Sequence, residues 1–306
     1  MLGKLTVRST SMPNEIKVAI IGLDTSHSVE FPRLMQAPDC PSDLKVEGLR
    51  ATRCLRFETP FQNKDGLDKR QKQLEEWDVL VTEDFDEAVG DCDAIMLEIN
   101  DQAYHLEYFE KCAGLGKPIF VDKPLADSGA NGRKMAKIAA ATGVRWWSSS
   151  SLRFVNALVD ASAQIPTPKL VSVYGPLGIA PAGSSIIWYG CHAFEMLQRA
   201  MGRGAVAVTS HKDKAGVVCI VEYNDDRRGV VELTEGSYHY GGCLRADSVA
   251  PFVPDVSKAY SEQLPQIAKF FQGGDPPLTI TDILEVMDML DAADRSARSG
   301  VKERLG

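Results

Sequence analysis

Between residues 17 and 148, short apolar runs alternate with stretches of helical character, and this alternation limits the possible folds more than any other feature of the chain. Residues 17–21, 45–49, 78–82, 94–99, 119–121 and 144–148 read as strands. Residues 32–36, 67–77, 85–89, 102–114 and 129–142 read as helices, with Pro32 suited to a first turn and Gly114 and Gly116 to a helix stop. Strands alternating with helices imply a doubly wound parallel sheet of Rossmann type joined by right-handed crossovers. Beyond Ser151 the pattern changes to β-rich runs at 170–174, 205–210, 217–223 and 229–234, with a turn signal at Asn224-Asp225-Asp226. These predict a second α/β domain built on a mainly antiparallel, open sheet, closed by helix over 258–300. The expected division is 12–150 and 151–306, with the boundary near 148–152.

Bulk properties narrow the class. The chain has 306 residues, 44% hydrophobic and 25% charged, which suits two globular domains. A formal net charge of −8 argues against a nucleic-acid or anionic-membrane partner, since both need a basic field. No apolar run approaches the ~20 residues of a membrane span, and the segment MLGKLTVRSTSMPNE has no apolar signal core. A cytoplasmic location is therefore expected. The seven cysteines are unevenly scattered with no CxxC, and the five histidines form no ligand motif, so reduced thiols and no metal are expected.

Chemistry concentrates in three places. In GKPIFVDKPLA, residues 116–126, a strand runs into Asp122, Lys123 and Pro124, and the proline biases Lys123 toward extended geometry. A lysine fixed at the carboxyl end of a parallel strand stands where α/β folds bind ligands, and can give or take a proton. Further on come SLRF, with Arg153, and GCHAFEMLQRAMG, with His192 and Glu195 on one helical face. The order of these motifs resembles the Gfo/Idh/MocA family of sugar and cyclitol oxidoreductases. That family's pattern is Glu-Lys-Pro, then Arg-Phe, then Gly-x-His-x-x-Asp; here it reads Asp122-Lys123-Pro124, Arg153-Phe154 and Gly190-Cys191-His192-Ala193-Phe194-Glu195. The resemblance runs from about Lys17 to Leu305. It implies Lys123, His192 and Glu195 as catalytic residues, Arg153, Trp188 and His192 as substrate residues, and a homodimer or homotetramer built on the open sheet. Trp188 replaces an Asp that the family often carries four residues before the histidine, so Glu195 is the remaining candidate for its carboxylate partner.

The nucleotide loop departs from the glycine-rich rule. A dinucleotide fold uses Gly-x-Gly-x-x-Gly or Ala because bare backbone admits the pyrophosphate to a helix N-terminus. This chain has Gly22-Leu23-Asp24-Thr25-Ser26-His27. A carboxylate about 5 Å from a phosphate would oppose each charge by ~3 kcal/mol at an effective dielectric near 20. Asp24 either caps the following helix or stiffens its own loop, marks an altered phosphate site, or marks the loss of nucleotide binding. Thr25, Ser26 and His27 offer donors to phosphate. Arg50 or Arg53, read as lying at the end of the second strand, leans toward NADP, and the resemblance adds Asn100, Asp122 and Lys123 to the cofactor set. The expected activity is hydride transfer between NAD or NADP and a hydroxyl-bearing carbon of a sugar, cyclitol or sugar acid. The alternatives are a lyase or isomerase, or a non-catalytic ligand sensor, on the same scaffold.

Overall fold

The computed structural model describes residues 15–306, so the expected domain start at residue 12 and the reading of the N-terminal segment lie outside the described residues. Six strands, β1 (Ile16–Ile21), β2 (Leu49–Leu55), β3 (Leu80–Thr82), β4 (Ala94–Leu97), β5 (Ile119–Val121) and β6 (Trp146–Ser148), form a wholly parallel sheet in the order β3-β2-β1-β4-β5-β6. The strand order reverses between β1 and β4. That reversal opens the crevice in which such sheets bind ligands. Every residue of β4 and β5 is buried, as a sheet covered by helices on both faces requires. The covering helices are α1 (His27–Gln36), α2 (Lys64–Glu75), α3 (Phe85–Val89), α4 (His105–Ala113) and α5 (Gly129–Thr142).

The expected second strand at 45–49 is displaced. Gly48 takes a positive φ of 88°, which ends any extended run, and the Val46 amide bonds the Leu34 carbonyl behind α1. The strand follows instead as LRATRCL, where Arg50, Thr52 and Arg53 interrupt the apolar signal but lie at half-buried positions. The first helix begins five residues earlier than expected. Pro32 lies inside it and is buried, so its missing N–H costs one helical hydrogen bond.

The second sheet has seven strands, β7 (Leu170–Pro176), β8 (Ala205–Lys212), β9 (Gly216–Tyr223), β10 (Arg228–Thr234), β11 (Gly241–Arg245), β12 (Val249–Phe252) and β13 (Glu303–Arg304), in the order β12-β11-β7-β10-β9-β8-β13. All pairings are antiparallel except β7 with β10. Strand β9 alternates buried Val217, Cys219, Val221 and Tyr223 with exposed Val218 and Ile220, so one face is core and the other open. Helices α6 (Asn156–Gln164), α7 (Ser185–Trp188), α8 (Cys191–Met201), α9 (Ala259–Phe271) and α10 (Ile280–Ser299) complete the chain. Helices α8 and α10 pack on the covered face of this sheet. Helix α9 also packs against α1, and α10 against α5, so the chain returns to the first sheet. The ends of β1, β4 and β5 therefore face α8 across one cleft.

Candidate active site

Gly22 ends β1 with φ 107°, and a Cβ there would lie 2.5 Å from the Glu98 carbonyl at the end of β4. Only glycine allows the two strand ends to approach so closely. Asp24 does not cap α1; the N-cap is Ser26, whose side chain makes no capping bond. Instead the Asp24 carboxylate is 1% exposed and accepts hydrogen bonds from the Asn100 amide at 2.7 Å, the Asp101 amide at 3.1 Å and the Thr59 hydroxyl at 2.7 Å. It locks the loop after β1 to the loop after β4. Its charge is spent on three donors and turned away from the cleft.

A cleft of about 440 Å³ lies at the switch point. Its floor and walls include Thr25, Ser26, His27, Arg70, Asn100, Lys123, Trp188, Tyr189, His192, Tyr238, Tyr240 and Tyr260. The sequence-predicted Thr25, Ser26, His27, Asn100, Lys123, Trp188 and His192 thus meet there. Asn100 and Trp188 touch directly, the indole Nε1 donating to Asn100 Oδ1 at 2.8 Å across the cleft. Arg70, on α2, was not singled out by sequence. Its guanidinium donates to the Leu23 carbonyl at 2.9 Å and, among the described residues, has no acidic partner within salt-bridge distance. Nothing in KDGLDKRQKQLE marks this arginine out from its charged neighbours.

The reacting end combines a cation with a neutral base. Lys123 is 5% exposed, and burial by itself would lower its pKa. Asp122, Cys191, Tyr189 and Glu98 together outweigh that, so the ammonium is held above its usual value. Burial pushes the His192 imidazole well below 6.5, and Lys123 and His27 push it further, against Asp122. At neutral pH the lysine is charged and the histidine is not. His192 Nδ1 lies 2.6 Å from Ser150 Oγ, a hydroxyl that also accepts the Leu152 amide at 3.1 Å. When Nδ1–H donates to Ser150, Nε2 keeps its lone pair as a proton acceptor.

Three expected site residues are placed elsewhere. Glu195 does not partner His192: its carboxylate takes Arg153 at 2.9 Å and the Ser150 amide at 3.3 Å, both buried. Arg153 spends its guanidinium on Glu195 and Gln198 and lines a different cavity, of about 650 Å³, behind α8. Arg50 is opposite Lys17 at the start of β2 and pairs with Asp78 at 3.5 Å, at the wrong end of the sheet for a cofactor. The corner it was meant to occupy holds Arg56, 2.6 Å from Asp68 and 3.9 Å from Glu83. Asp122 is buried behind Lys123, 2.7 Å from His27 Nδ1, with burial raising its pKa but His27 and Lys123 bringing it below the usual range. Beside it Glu98 is fully buried, and burial and Asp122 raise its pKa well above the usual carboxyl value.

The donors at the β1 end of the cleft fit a dinucleotide. Thr25, Ser26 and the uncapped start of the ten-residue α1, with Arg70 beside them, supply hydroxyls, a helix N-terminus and a guanidinium, a donor set that suits a pyrophosphate. Hydroxyls and an arginine here stand in for bare glycine backbone.

The family model described as Oxidoreductase family, NAD-binding Rossmann fold, matches residues 16–150. No curated protein sequence matches the chain. Among solved structures, GenD2 from gentamicin A biosynthesis in complex with NAD superposes with a TM-score of 0.77 at 18% identity, over 99% of this chain and 100% of that one. Scyllo-inositol dehydrogenase from Lactobacillus casei with NAD(H) and scyllo-inositol gives 0.76 at 14% identity, over 95% and 99%. A putative myo-inositol dehydrogenase from Sinorhizobium meliloti gives 0.75 at 15% identity, over 95% and 100%. Likeness at such identities establishes the shared fold. Over residues 16–150 the chain matches the Gfo/Idh/MocA oxidoreductase family, whose model is an NAD-binding Rossmann fold.

Proposed function

We propose that the protein oxidises a hydroxyl-bearing carbon of a sugar, cyclitol or sugar acid, or reduces the matching carbonyl, with NAD as its cofactor. The observation that carries this reading is the pairing, in one cleft, of Lys123 held as a cation with His192 held neutral. When bound, the nicotinamide accepts or returns the hydride. His192 Nε2 takes the proton from the substrate hydroxyl, and the Lys123 ammonium stabilises the negative charge developing on that oxygen. In the reverse direction the same two groups return a proton to the carbonyl oxygen. Thr25, Ser26 and Arg70 would hold the pyrophosphate. Trp188, Tyr189, Tyr238, Tyr240 and Tyr260 give the cleft aromatic walls with polar tips, suited to the alternating C–H and O–H surfaces of a polyol. The inositol dehydrogenases and the NAD-bound GenD2 with the same fold support this substrate and cofactor class. NAD is favoured over NADP because a 2′-phosphate at the end of β2 would have to displace Asp68 from Arg56. The seven unpaired cysteines agree with a reducing, cytoplasmic setting.

A second reading has one observation in its favour: Asp24 and His27 fill two positions that the dinucleotide loop leaves bare. The same cation and base would then remove a proton beside a carbonyl, as a lyase or isomerase without free NAD. Lys123→Met tests the shared core of both readings. Losing the ammonium lowers kcat by ~100-fold or more while the unfolding transition stays cooperative, and a near-normal kcat on the polyol found by screening takes Lys123 out of the mechanism.

A further inference from the structure

Three strand ends meet beneath the cleft, and each delivers a potential metal ligand. His27 follows β1 at the start of α1, Glu98 follows β4 and Asp122 follows β5. One ligand atom from each, an imidazole nitrogen and two carboxylate oxygens, lies within 4.8 Å of the other two, and all three residues are buried. An ion with bonds of ~2.1 Å keeps tetrahedral ligands ~3.4 Å apart, so a contraction of little more than ~1 Å assembles the site. His27 Nδ1 and Asp122 Oδ2, hydrogen-bonded at 2.7 Å, open to that spacing when an ion replaces the proton between them.

A second observation points to a ligand. Glu98 is 0% exposed, yet neither of its carboxylate oxygens has a hydrogen-bond partner. Buried polar atoms are nearly always satisfied, and an orphaned carboxyl calls for an explanation. The Lys123 ammonium does not supply one, since among the described residues no hydrogen bond or salt bridge joins it to Glu98. We propose that His27, Glu98 and Asp122 bind one divalent transition-metal cation at the floor of the cleft. One nitrogen and two hard oxygens suit Zn²⁺, Mn²⁺ or Fe²⁺ rather than a soft monovalent ion. Three protein ligands leave a four-coordinate ion one open position, the arrangement of a site that takes water or a substrate oxygen. His27 lines the cleft, so that oxygen would enter from the same side as the substrate.

The test uses the full chain, stripped with a chelator, with no nucleotide present. Its failure is therefore distinct from failure of the dinucleotide reading. Mn²⁺ binding is followed by loss of the free-ion paramagnetic resonance signal, and Co²⁺ by its visible bands. Wild type is expected to take up one ion per chain and to melt at a higher temperature with it. Glu98→Gln keeps the side-chain shape, and His27→Asn keeps a small polar group; each should weaken binding by about tenfold or more. If Glu98→Gln does not fold, His27→Asn decides alone. No uptake up to millimolar metal overturns the proposal. So does uptake that both variants leave unchanged, or a sulfur-to-cobalt charge-transfer band that traces binding to the free cysteines.

Discussion

His192 joins the proposed proton transfer to a share of the stability. The imidazole faces Lys123, His27 and Asp122 and is held by Ser150, and burial with the Lys123 ammonium keeps it neutral. Its folded pKa is depressed, so below 6.5 the unfolded chain binds a proton that the folded chain refuses. The stability it contributes is present above 6.5 and is lost as pH falls toward the folded value, by at most about 1.4 kcal/mol per pH unit. His192→Asn should therefore flatten the fall in melting temperature between about pH 7 and about pH 5. An unchanged slope in thermal scans would mean that His192 titrates in the folded protein as it does in the unfolded one. The same residue was legible in sequence because it opens a helix after a glycine. Its partner was not: Ser150 follows β6, and Glu195, three residues along the same helix, looked the better candidate until its carboxylate proved to serve Arg153.

At the scale of elements, Asp24 is a clamp between two loops. Asp24→Gly removes a charged acceptor from two backbone amides and a hydroxyl, each such bond contributing about 1.5–3 kcal/mol. The expected outcome is a loss of about 3 kcal/mol or more in denaturant unfolding, with NAD affinity falling. A rise in affinity of a decade or more, with stability kept, would show that the carboxylate faces the phosphates after all. Elements with uniform local signals were legible: residues 85–89 and 129–142 are helices as expected, the latter bounded by a Ser128 cap and Gly143 in the left-handed conformation. β2 was misplaced by four residues because arginines interrupt its apolar pattern, an alternation that shows only once β1 and β3 flank it. β11 and β12 were missed because Gly241, Gly242 and Pro251 are poor strand formers; a Cβ on either glycine would collide with β7. The His27, Glu98 and Asp122 cluster had no sequence spacing to betray it, since parallel topology alone brings the three strand ends together.

At the scale of the whole molecule, the second sheet covers one face with α8 and α10 and leaves Tyr174, Val206, Val218 and Ile220 on the other, each 38–41% exposed. An apolar sheet face of this kind suits a symmetric contact with a second copy. Sedimentation at micromolar concentration should give a dimer or tetramer, and Ile220→Glu should give monomers with the same secondary structure. A monomeric wild type would rule that assembly out. Both sheets meet at one cleft, and the account stands or falls on what that cleft holds at its phosphate end. The direct measurement is a calorimetric titration of the wild type and of Arg70→Ala with NAD. The account predicts one NAD per chain for the wild type, tighter than NADP, and at least tenfold weaker binding once Arg70 is removed. No detectable NAD or NADP binding by the wild type would contradict it and leave the cofactor-free reading of Lys123 and His192.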